Sequence, residues 1–328
     1  MLLQVRPGLS AQDINFSQFY ELPLLRNPAL AGIFDGDIRI TAGYRNQWQS
    51  VTTPYQTQAL GVEYKFSLNE NSYDFITLGL QITNDQAGDS KLSKTQFLPV
   101  FNFHKSVNEN SFISAGVMAG AVQQRFDPGK LQFDDQFVNG SFSPTNPTQQ
   151  TFSNTNVIYY DIAAGLSFSS VTDNDIRYYV GAGLFHFTKP KVAFTPGNDI
   201  KLNEKWVANF GVSAPTSEAD KLILYGDLFV QGGHKQIQGG FLFSHDLVRY
   251  DDESISLAAG SFYRWNDAII PLIKLDYYKL GIGVSYDINV SKLAVASQMR
   301  GGLEVTLSYK SYLNVMNSSL NKVRCPVF

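Results

Sequence analysis

Two stretches near the carboxyl end of the chain alternate strictly between apolar residues and residues that are polar or small. In residues 280–289 and 303–309 every second position is apolar: Leu280, Ile282, Val284, Tyr286, Ile288, Leu303, Val305, Leu307 and Tyr309. A period of two residues is typical of a β-strand with two chemically different faces. Such strands build a soluble β-sandwich or jelly roll, but they also build a membrane barrel whose apolar face meets lipid.

The composition favours the membrane barrel. Only 17% of the 328 residues are charged, whereas soluble domains carry about 25%. No apolar run approaches the ~18 residues that a membrane helix needs, so this chain could enter a membrane only as a closed barrel. The formal net charge of −3 gives no reason to expect nucleic acid as a partner.

Strand-like runs and their connections predict an all-β, transmembrane antiparallel β-barrel of about fourteen strands. The alternation begins at Ile38 and recurs through the chain, so we assign residues 36–312 to the barrel. The connections after even-numbered strands are mostly short and polar, and several after odd-numbered strands are long, including residues 84–93 and, above all, residues 127–154. Sorting of this kind is typical of outer-membrane barrels, with short turns in the periplasm. Both ends of the barrel then lie at the short-turn rim.

A barrel of this size has a wide lumen, which side chains of the strands alone do not fill. The inward-facing positions predicted from the alternation carry both signs of charge: Arg39, Arg45, Glu63, Lys65, Asp161, Asp287, Glu304 and Lys310. They either pair with one another and hold the barrel rigid, or they line a solute pathway. The absence of a ring of one sign favours pairing. We also expect Ser285, as a lumen position, to accept arginine more readily than lipid-facing Val284.

The amino-terminal region precedes the first strand. Residues 1–11 resemble the remnant of a signal peptide or a leader, and residues 12–35 form a non-strand segment. Its apolar side chains need a pocket, either in the barrel or on a periplasmic partner. We expect it to begin at the periplasmic rim and fold into the lumen as a partial plug, with Arg26 and Asn27 meeting Glu63 or Glu304. The candidate plug residues are Phe16, Phe19, Tyr20, Arg26, Asn27 and Pro28.

Two further segments carry expectations of their own. Residues 313–328 are expected to form a periplasmic tail, and the single cysteine, Cys325, cannot form an internal disulfide.

The long connection, residues 127–154, is rich in aromatic residues and is expected to lie on the cell exterior, either as a lid over the mouth of the barrel or against a partner. The candidate partner-binding residues are Phe126, Phe133, Asp134, Asp135, Phe137 and Phe142.

The sequence contains no motif that indicates catalysis, a metal or a cofactor. The four histidines are scattered without metal-ligand spacing, and neither a nucleophile elbow nor a phosphate-binding loop occurs. Gly181 and Gly183 lie in a strand and are interpreted as packing or bend glycines. We therefore predict a protein that is not an enzyme and has no cofactor.

Several segments resemble the PorP/SprF family of the type IX secretion and gliding-motility machinery of Bacteroidetes. They occur in order along nearly the whole chain: QDINFSQFY (12–20), LRNPALAG (25–32), YRNQW (44–48), KLQFDDQF (130–137), YRWNDA (263–268), SYDINVSK (285–292) and CPVF (325–328).

The resemblance implies a non-enzymatic barrel in the Gram-negative outer membrane, in contact with its lipid. It also implies that the protein supports secretion and surface anchoring of cargo with type B C-terminal domains, such as SprB-like adhesins, and associates with periplasmic ring proteins of the PorK/GldK type. The residues themselves leave a second function open, that of a passive channel or uptake porin.

Overall fold

The computed structural model describes residues 13–47, 53–68, 73–138, 140–143, 145–194, 199–250, 253–291 and 300–312. Residues 1–12, which include the predicted leader, and residues 313–328, the predicted tail with Cys325, lie outside the described part. The same holds for Trp48 in the family-like segment 44–48. No helix among the described residues is long and apolar enough to cross a membrane.

Fourteen antiparallel strands form a closed barrel, as the alternation predicts. The sixteen strands in chain order are β1 (Ile38–Gln47), β2 (Tyr55–Ser67), β3 (Phe75–Ala87), β4 (Leu92–Asn108), β5 (Ser111–Arg125), β6 (Phe137–Val138), β7 (Ser141–Phe142), β8 (Asn156–Val171), β9 (Arg177–Phe185), β10 (Lys205–Pro215), β11 (Asp220–Gln231), β12 (His234–Tyr250), β13 (Glu253–Arg264), β14 (Ala268–Tyr277), β15 (Leu280–Asn289) and β16 (Arg300–Ser311). Strands β6 and β7 form a separate small hairpin in the longest connection.

The first and last strands pair with each other and close the barrel. β1 pairs with β16 from Ile38↔Ser311 to Gln47↔Gly302, while its other edge pairs with β2. Closure leaves no edge of the fourteen described barrel strands exposed to lipid, so their ladder groups can find partners inside the wall.

The two rims differ in their connections, and we name them accordingly. The loop rim carries the connections after the odd members of the barrel, including residues 126–155 and 186–204. The turn rim carries connections of two to seven residues, such as 109–110 and 278–279. One long connection was predicted wrongly: β3 and β4 extend further than the alternation indicates, which leaves only residues 88–91 between them.

The outer face of the wall is apolar, as predicted. Leu60, Phe66, Ile282, Val284 and Tyr286 are all exposed, and Val62 and Tyr64 are half-buried on the same face. Between them lie inward-facing residues that are small or polar. The exposed band is suited to lipid, which solvates apolar side chains without penalty.

The lumen contains the segment before β1, which we call the lumenal segment (residues 13–37). It includes three short 3₁₀ turns: η1 (Phe19–Glu21), η2 (Pro23–Leu25) and η3 (Pro28–Leu30). Two further 3₁₀ turns, η4 (Pro128–Lys130) and η5 (Asp134–Gln136), lie in the longest connection. Because the lumenal segment fills the lumen, inward-facing Ser285 is only 2% exposed. We therefore revise the expectation that arginine is tolerated there.

The membrane-facing band predicts a depth-dependent cost along one strand. Val284→Arg in the middle of β15 should destabilise the barrel by about 2–4 kcal/mol, and Leu280→Arg on the same face at the turn rim by about 0–1 kcal/mol. Urea unfolding in lipid vesicles measures both. Equal costs at the two positions would contradict the assignment of this face to lipid.

Candidate functional site

The lumenal segment crosses the whole barrel. Asp13 contacts Lys94 and Lys205, which lie at the loop-rim ends of β4 and β10. At the other end, Phe34 accepts a hydrogen bond from Lys65 near the turn-rim end of β2. The expectation that the segment begins at the periplasmic, turn-rim side is therefore wrong. The position of β1 determines only where the segment ends, and its length allows it to cross the lumen first.

Apolar side chains of the lumenal segment are buried against the inner wall. Phe16, Leu22, Leu24, Leu30 and Phe34 are each at most 2% exposed. Such burial of large apolar side chains contributes about 1.5–3 kcal/mol each. The segment is therefore packed like part of a hydrophobic core and is not a solvated stretch of chain.

Aromatic rings line one side of this packing. Tyr20 stacks on Tyr225 and Phe262, with ring centroids 5.0 and 5.5 Å apart, and Phe19 meets Phe262 edge-on at 5.2 Å. The two wall residues come from β11 and β13, so η1 is held against this side of the barrel. Aromatic pairs in these arrangements add about 0.5–1.5 kcal/mol each to the area they bury.

Near the loop rim, Glu304 of β16 binds the two residues that precede η1. Its carboxylate accepts hydrogen bonds from the backbone amides of Ser17 (2.7 Å) and Gln18 (2.6 Å). Ser17 also donates its hydroxyl to Asp287 at 2.5 Å. Two guanidinium groups, those of Arg45 and Arg264, pair with the same Asp287 carboxylate. Arg264 was missed by sequence reasoning, although it lies in the family-like segment 263–268.

Arg26 lies at the centre of the lumen and pairs with Asp227 of β11. Its Nη2 is 2.6 Å from Oδ1 of Asp227, and its Nη1 donates to the Tyr179 hydroxyl at 2.7 Å. The guanidinium also lies 4.9 Å from the ring centroid of Phe19. The predicted pairing of Arg26 with Glu63 or Glu304 is therefore wrong. Both carboxylates instead accept hydrogen bonds from backbone amides of the lumenal segment.

Asn27 occupies a pit made by glycines of β8 and β9, and it does not meet Glu63 or Glu304 as predicted. Its side chain donates to the carbonyl of Ala182 (3.1 Å) and accepts from the amide of Ala29 (2.9 Å). A Cβ at Gly165 would overlap Asn27, and one at Gly181 would lie 2.8 Å from its Nδ2. The glycines of β9 thus leave room for the side chain of Asn27, in agreement with their interpretation as packing residues.

Pro28 lies against the wall beside this pit. A Cβ at Gly116 of β5 would lie 2.5 Å from the carbonyl of Pro28, so this approach also requires glycine. The next carbonyl, that of Ala29, accepts hydrogen bonds from Asn102 (3.0 Å) and Ser167 (2.9 Å). Three neighbouring strands, β4, β5 and β8, therefore hold η3 by close packing and by direct hydrogen bonds.

The turn-rim end of the segment is held by Glu63. Its carboxylate accepts from the Gly32 amide at 2.8 Å and from Arg39 at 2.8 and 2.9 Å. Lys65 donates to the Phe34 carbonyl at 2.5 Å, and its ammonium lies 4.3 Å from the Phe34 ring centroid. These contacts join the end of the segment to β1 and β2.

At the loop rim, Asp13 contacts a cluster of charged side chains that could not be recognised from the sequence. Its Oδ1 is 2.9 Å from Nζ of Lys94, and its Oδ2 is 2.6 Å from Nε2 of His186 and 3.6 Å from Nζ of Lys205. On the other side of the imidazole, Asp161 is 2.7 Å from Nδ1. The family-like segment 12–20 includes Asp13, but none of the histidines is near it in sequence.

Charge determines the protonation of this cluster. Burial alone would lower the pKa of His186, but the charge of Asp13 and hydrogen bonds to Asp13 and Asp161 outweigh it, and the pKa is raised. Burial alone would raise the pKa of Asp13, but Lys94, His186 and Lys205 together hold it well below its usual range. Both shifts in pKa favour the pair of an imidazolium and a carboxylate.

The contacts of this network include seven of the eight predicted lumen charges. Six lie in the contacts already described: Arg39 with Glu63, Arg45 with Asp287, Lys65 with Phe34, and Glu304 with the amides of Ser17 and Gln18. Asp161 pairs with His186, and Lys310 lies half-buried beside Arg39 in the register of β16 with β1. The geometry supports the pairing alternative over the solute pathway.

The six candidate loop residues divide into packed and exposed groups. The ring of Phe126 is 4.9 Å from Phe194 of the neighbouring long connection, and Phe133 lies 5.9 Å from Phe152. In contrast, Phe137 and Phe142 of the β6–β7 hairpin are 59% and 37% exposed. Asp135 accepts hydrogen bonds from Thr148 and Gln149, while Asp134 is exposed.

The comparisons with known proteins agree with this architecture. The family model described as "Type IX secretion system membrane protein PorP/SprF" matches residues 8–309. The chain belongs to the PorP/SprF family. It is thus a component of the type IX secretion machinery with an outer-membrane barrel. No curated protein matches the chain in sequence.

Solved structures with a similar fold are also outer-membrane barrels. CymD, a monoaromatic hydrocarbon channel, is 12% identical with a TM-score of 0.50, over 90% of this chain and 94% of that one. The toluene transporter TbuX of Ralstonia pickettii is 13% identical with a TM-score of 0.51, over 89% and 94%. At these identities the likeness concerns the fold alone.

Within the described part of this PorP/SprF protein, no group of three or more His, Cys, Asp or Glu side chains is placed to hold a metal ion. The small cavity beside Asp13, His186 and Lys205 has a volume of only about 20 Å³, room for one or two water molecules. The arrangement is suited to holding a polypeptide segment inside the barrel.

The central ion pair generates a double-mutant prediction. Arg26→Met leaves Asp227 buried without its cation and should destabilise the protein by about 3–5 kcal/mol, and adding Asp227→Asn should recover much of the loss. The matched control is Lys105→Met, because Lys105 pairs with Asp74 but is 62% exposed, and should cost under about 1 kcal/mol. Urea unfolding measures all three. A loss from Arg26→Met as small as that of the control would contradict the anchoring role of Arg26.

Proposed function

We propose that this PorP/SprF protein is a non-enzymatic docking component of the type IX machinery. In this role it supports secretion and surface anchoring of cargo with type B C-terminal domains, such as SprB-like adhesins. One observation carries the proposal: the lumenal segment occupies the lumen from rim to rim and is bonded to the wall at both ends and at its centre. A barrel filled in this way offers its rims, rather than a pore, as working surfaces.

The loop rim is the surface that we assign to cargo. In the orientation typical of bacterial barrels, long loops face the cell exterior, where anchored cargo resides. The rings of Phe126, Phe133, Phe152 and Phe194 join the two longest connections of the described chain into one unit. That unit supports the β6–β7 hairpin, whose exposed aromatic side chains are of the type enriched at protein interfaces. Periplasmic ring proteins of the PorK/GldK type would then meet the turn rim.

The hairpin prediction is tested by co-purification. Phe137→Ser combined with Phe142→Ser should reduce capture of a type B C-terminal domain by about tenfold or more, because exposed aromatic anchors carry much of the binding energy at interfaces. Val107→Ser is the control, since Val107 is 58% exposed near the opposite rim. Unchanged capture by the double variant would remove the hairpin from the cargo surface. An equal loss in the Val107 variant would show that the effect is not specific.

The alternative function is a passive channel or uptake porin, and conductance separates it from the proposal. The full-length protein in planar bilayers should remain closed, because the lumenal segment blocks the lumen. A variant that lacks residues 13–34 and is expressed behind an intact signal peptide should conduct if it assembles, since fourteen strands leave an aqueous interior. A full-length barrel that already conducts would favour the porin, and an assembled deletion variant that stays closed would contradict the plug.

A further inference from the structure

Three cations of the wall converge on one carboxylate at the loop rim. We call Lys94, His186 and Lys205 the rim cation site. They come from β4, from the connection after β9 and from β10, and their side chains are only 14%, 2% and 9% exposed. The carboxylate between them is that of Asp13, which belongs to the lumenal segment rather than to the wall. The site and its occupant are therefore separate parts of the chain.

The wall at this site carries an excess of positive charge that requires an anion. Both ring nitrogens of His186 lie within 2.7 Å of a carboxylate oxygen, an arrangement that matches an imidazolium donating to two carboxylates. Two lysines and an imidazolium face the wall carboxylate of Asp161, while Asp227, which also interacts with Lys205, is already paired with Arg26. An unpaired charge in such a buried place is costly, so a second anion must accompany any departure of Asp13.

The part of the segment that carries Asp13 is held differently from the rest. Asp13, Ile14 and Asn15 are only half-buried, whereas residues 16–24 are all buried. Asp13 is attached to the wall through its side chain alone, and Ile14 borders two small cavities that also reach Leu25 and Lys205. Asn15 is held more firmly, because its side chain bonds to Gln238 and its backbone carbonyl accepts from Arg45. We therefore infer that Asp13 can leave the site while the packing around Phe19 and Tyr20 stays in place.

We propose that the rim cation site is a binding site for a carboxylate of a partner peptide, and that Asp13 occupies it as an internal substitute for that ligand. A carboxylate fits because it can make the same contacts as Asp13. One oxygen then contacts Lys94, and the other contacts His186 and Lys205. Asp161 on the far side of His186 disfavours ligands of higher negative charge. This inference goes beyond the proposed docking role, and its test uses no cargo.

The test compares peptide binding before and after removal of the internal carboxylate. The probe is a rhodamine-labelled peptide, Gly-Ser-Gly-Ser-Gly-Leu, with a free C-terminal carboxylate, and binding to the full-length protein in detergent is followed by fluorescence anisotropy. Asp13→Asn should bind the probe at least about tenfold more tightly than the unmodified protein, because a tethered competitor acts at an effective concentration of order millimolar. The same peptide with a C-terminal amide should not bind.

Two further variants show whether the gain in affinity for the probe arises at the rim cation site. Adding Lys94→Gln and Lys205→Gln to Asp13→Asn should abolish that gain in affinity. Asp199→Asn makes the same change in net charge at the same rim, beside Lys191 and Lys201, but all three of those side chains are at least 51% exposed. It should leave probe binding unchanged.

Several outcomes would overturn the proposal. These are an Asp13→Asn protein that binds no better than the unmodified one, an equal gain from Asp199→Asn, equal binding of the amidated peptide, or inorganic phosphate competing more strongly than free acetate. Assembly of each variant is checked by heat-modifiable migration in gels, and Asp13→Ser is the second variant. If neither Asp13 variant assembled, Asp13 would be an obligatory structural group and the exchange would be refuted.

Discussion

Charge inside the barrel must be neutralised within the barrel, and this constraint determines how the lumen is filled. Water in a wide lumen could solvate these groups, but in this protein it is displaced by the lumenal segment. Glu304, Glu63 and Asp227 each receive donors from that segment, two through backbone amides and one through Arg26. Without the segment these carboxylates would lose part of their partners, and without the carboxylates the amides and the guanidinium would be buried unsatisfied. Wall and segment are therefore a single polar network.

The wall could be predicted from the sequence because its determinants are local. Alternation assigns each side chain to the inner or outer face, and the parity of the connections assigns each strand end to a rim. Neighbouring barrel strands also follow one another in sequence, apart from the closing pair β1 and β16 and from β5 and β8, between which the β6–β7 hairpin lies. Leu60 and Val284 could be placed toward lipid, and Glu63 and Asp287 toward the lumen, without knowledge of any long-range contact.

The contacts of the lumenal segment could not be predicted in the same way. Arg26 and Asp227 are 201 positions apart, and no periodic pattern relates a non-strand segment to one of fourteen strands. We predicted that Arg26 pairs with an inward-facing carboxylate, but we considered only Glu63 and Glu304 and not Asp227. Gly165 and Gly181 carried a usable signal, since small residues at inward-facing positions mark where another chain segment approaches the wall. To connect these glycines with Asn27, one must know how deep in the barrel both the glycines and the lumenal segment lie. Alternation does not provide that depth.

The direction of the lumenal segment gives its two ends different mechanical properties. At the turn rim it continues directly into β1, with Gly36 beside the Ser311 backbone, so this end cannot leave without opening the closing pair of strands. At the loop rim the attachment of Asp13, the first described residue, consists of ion pairs and hydrogen bonds, which a competing anion can replace. Between the ends lies an aromatic and aliphatic body that packs as a core does and resists partial displacement. A ligand that arrives from the exterior therefore meets the exchangeable end first, and the barrel remains blocked while that exchange takes place.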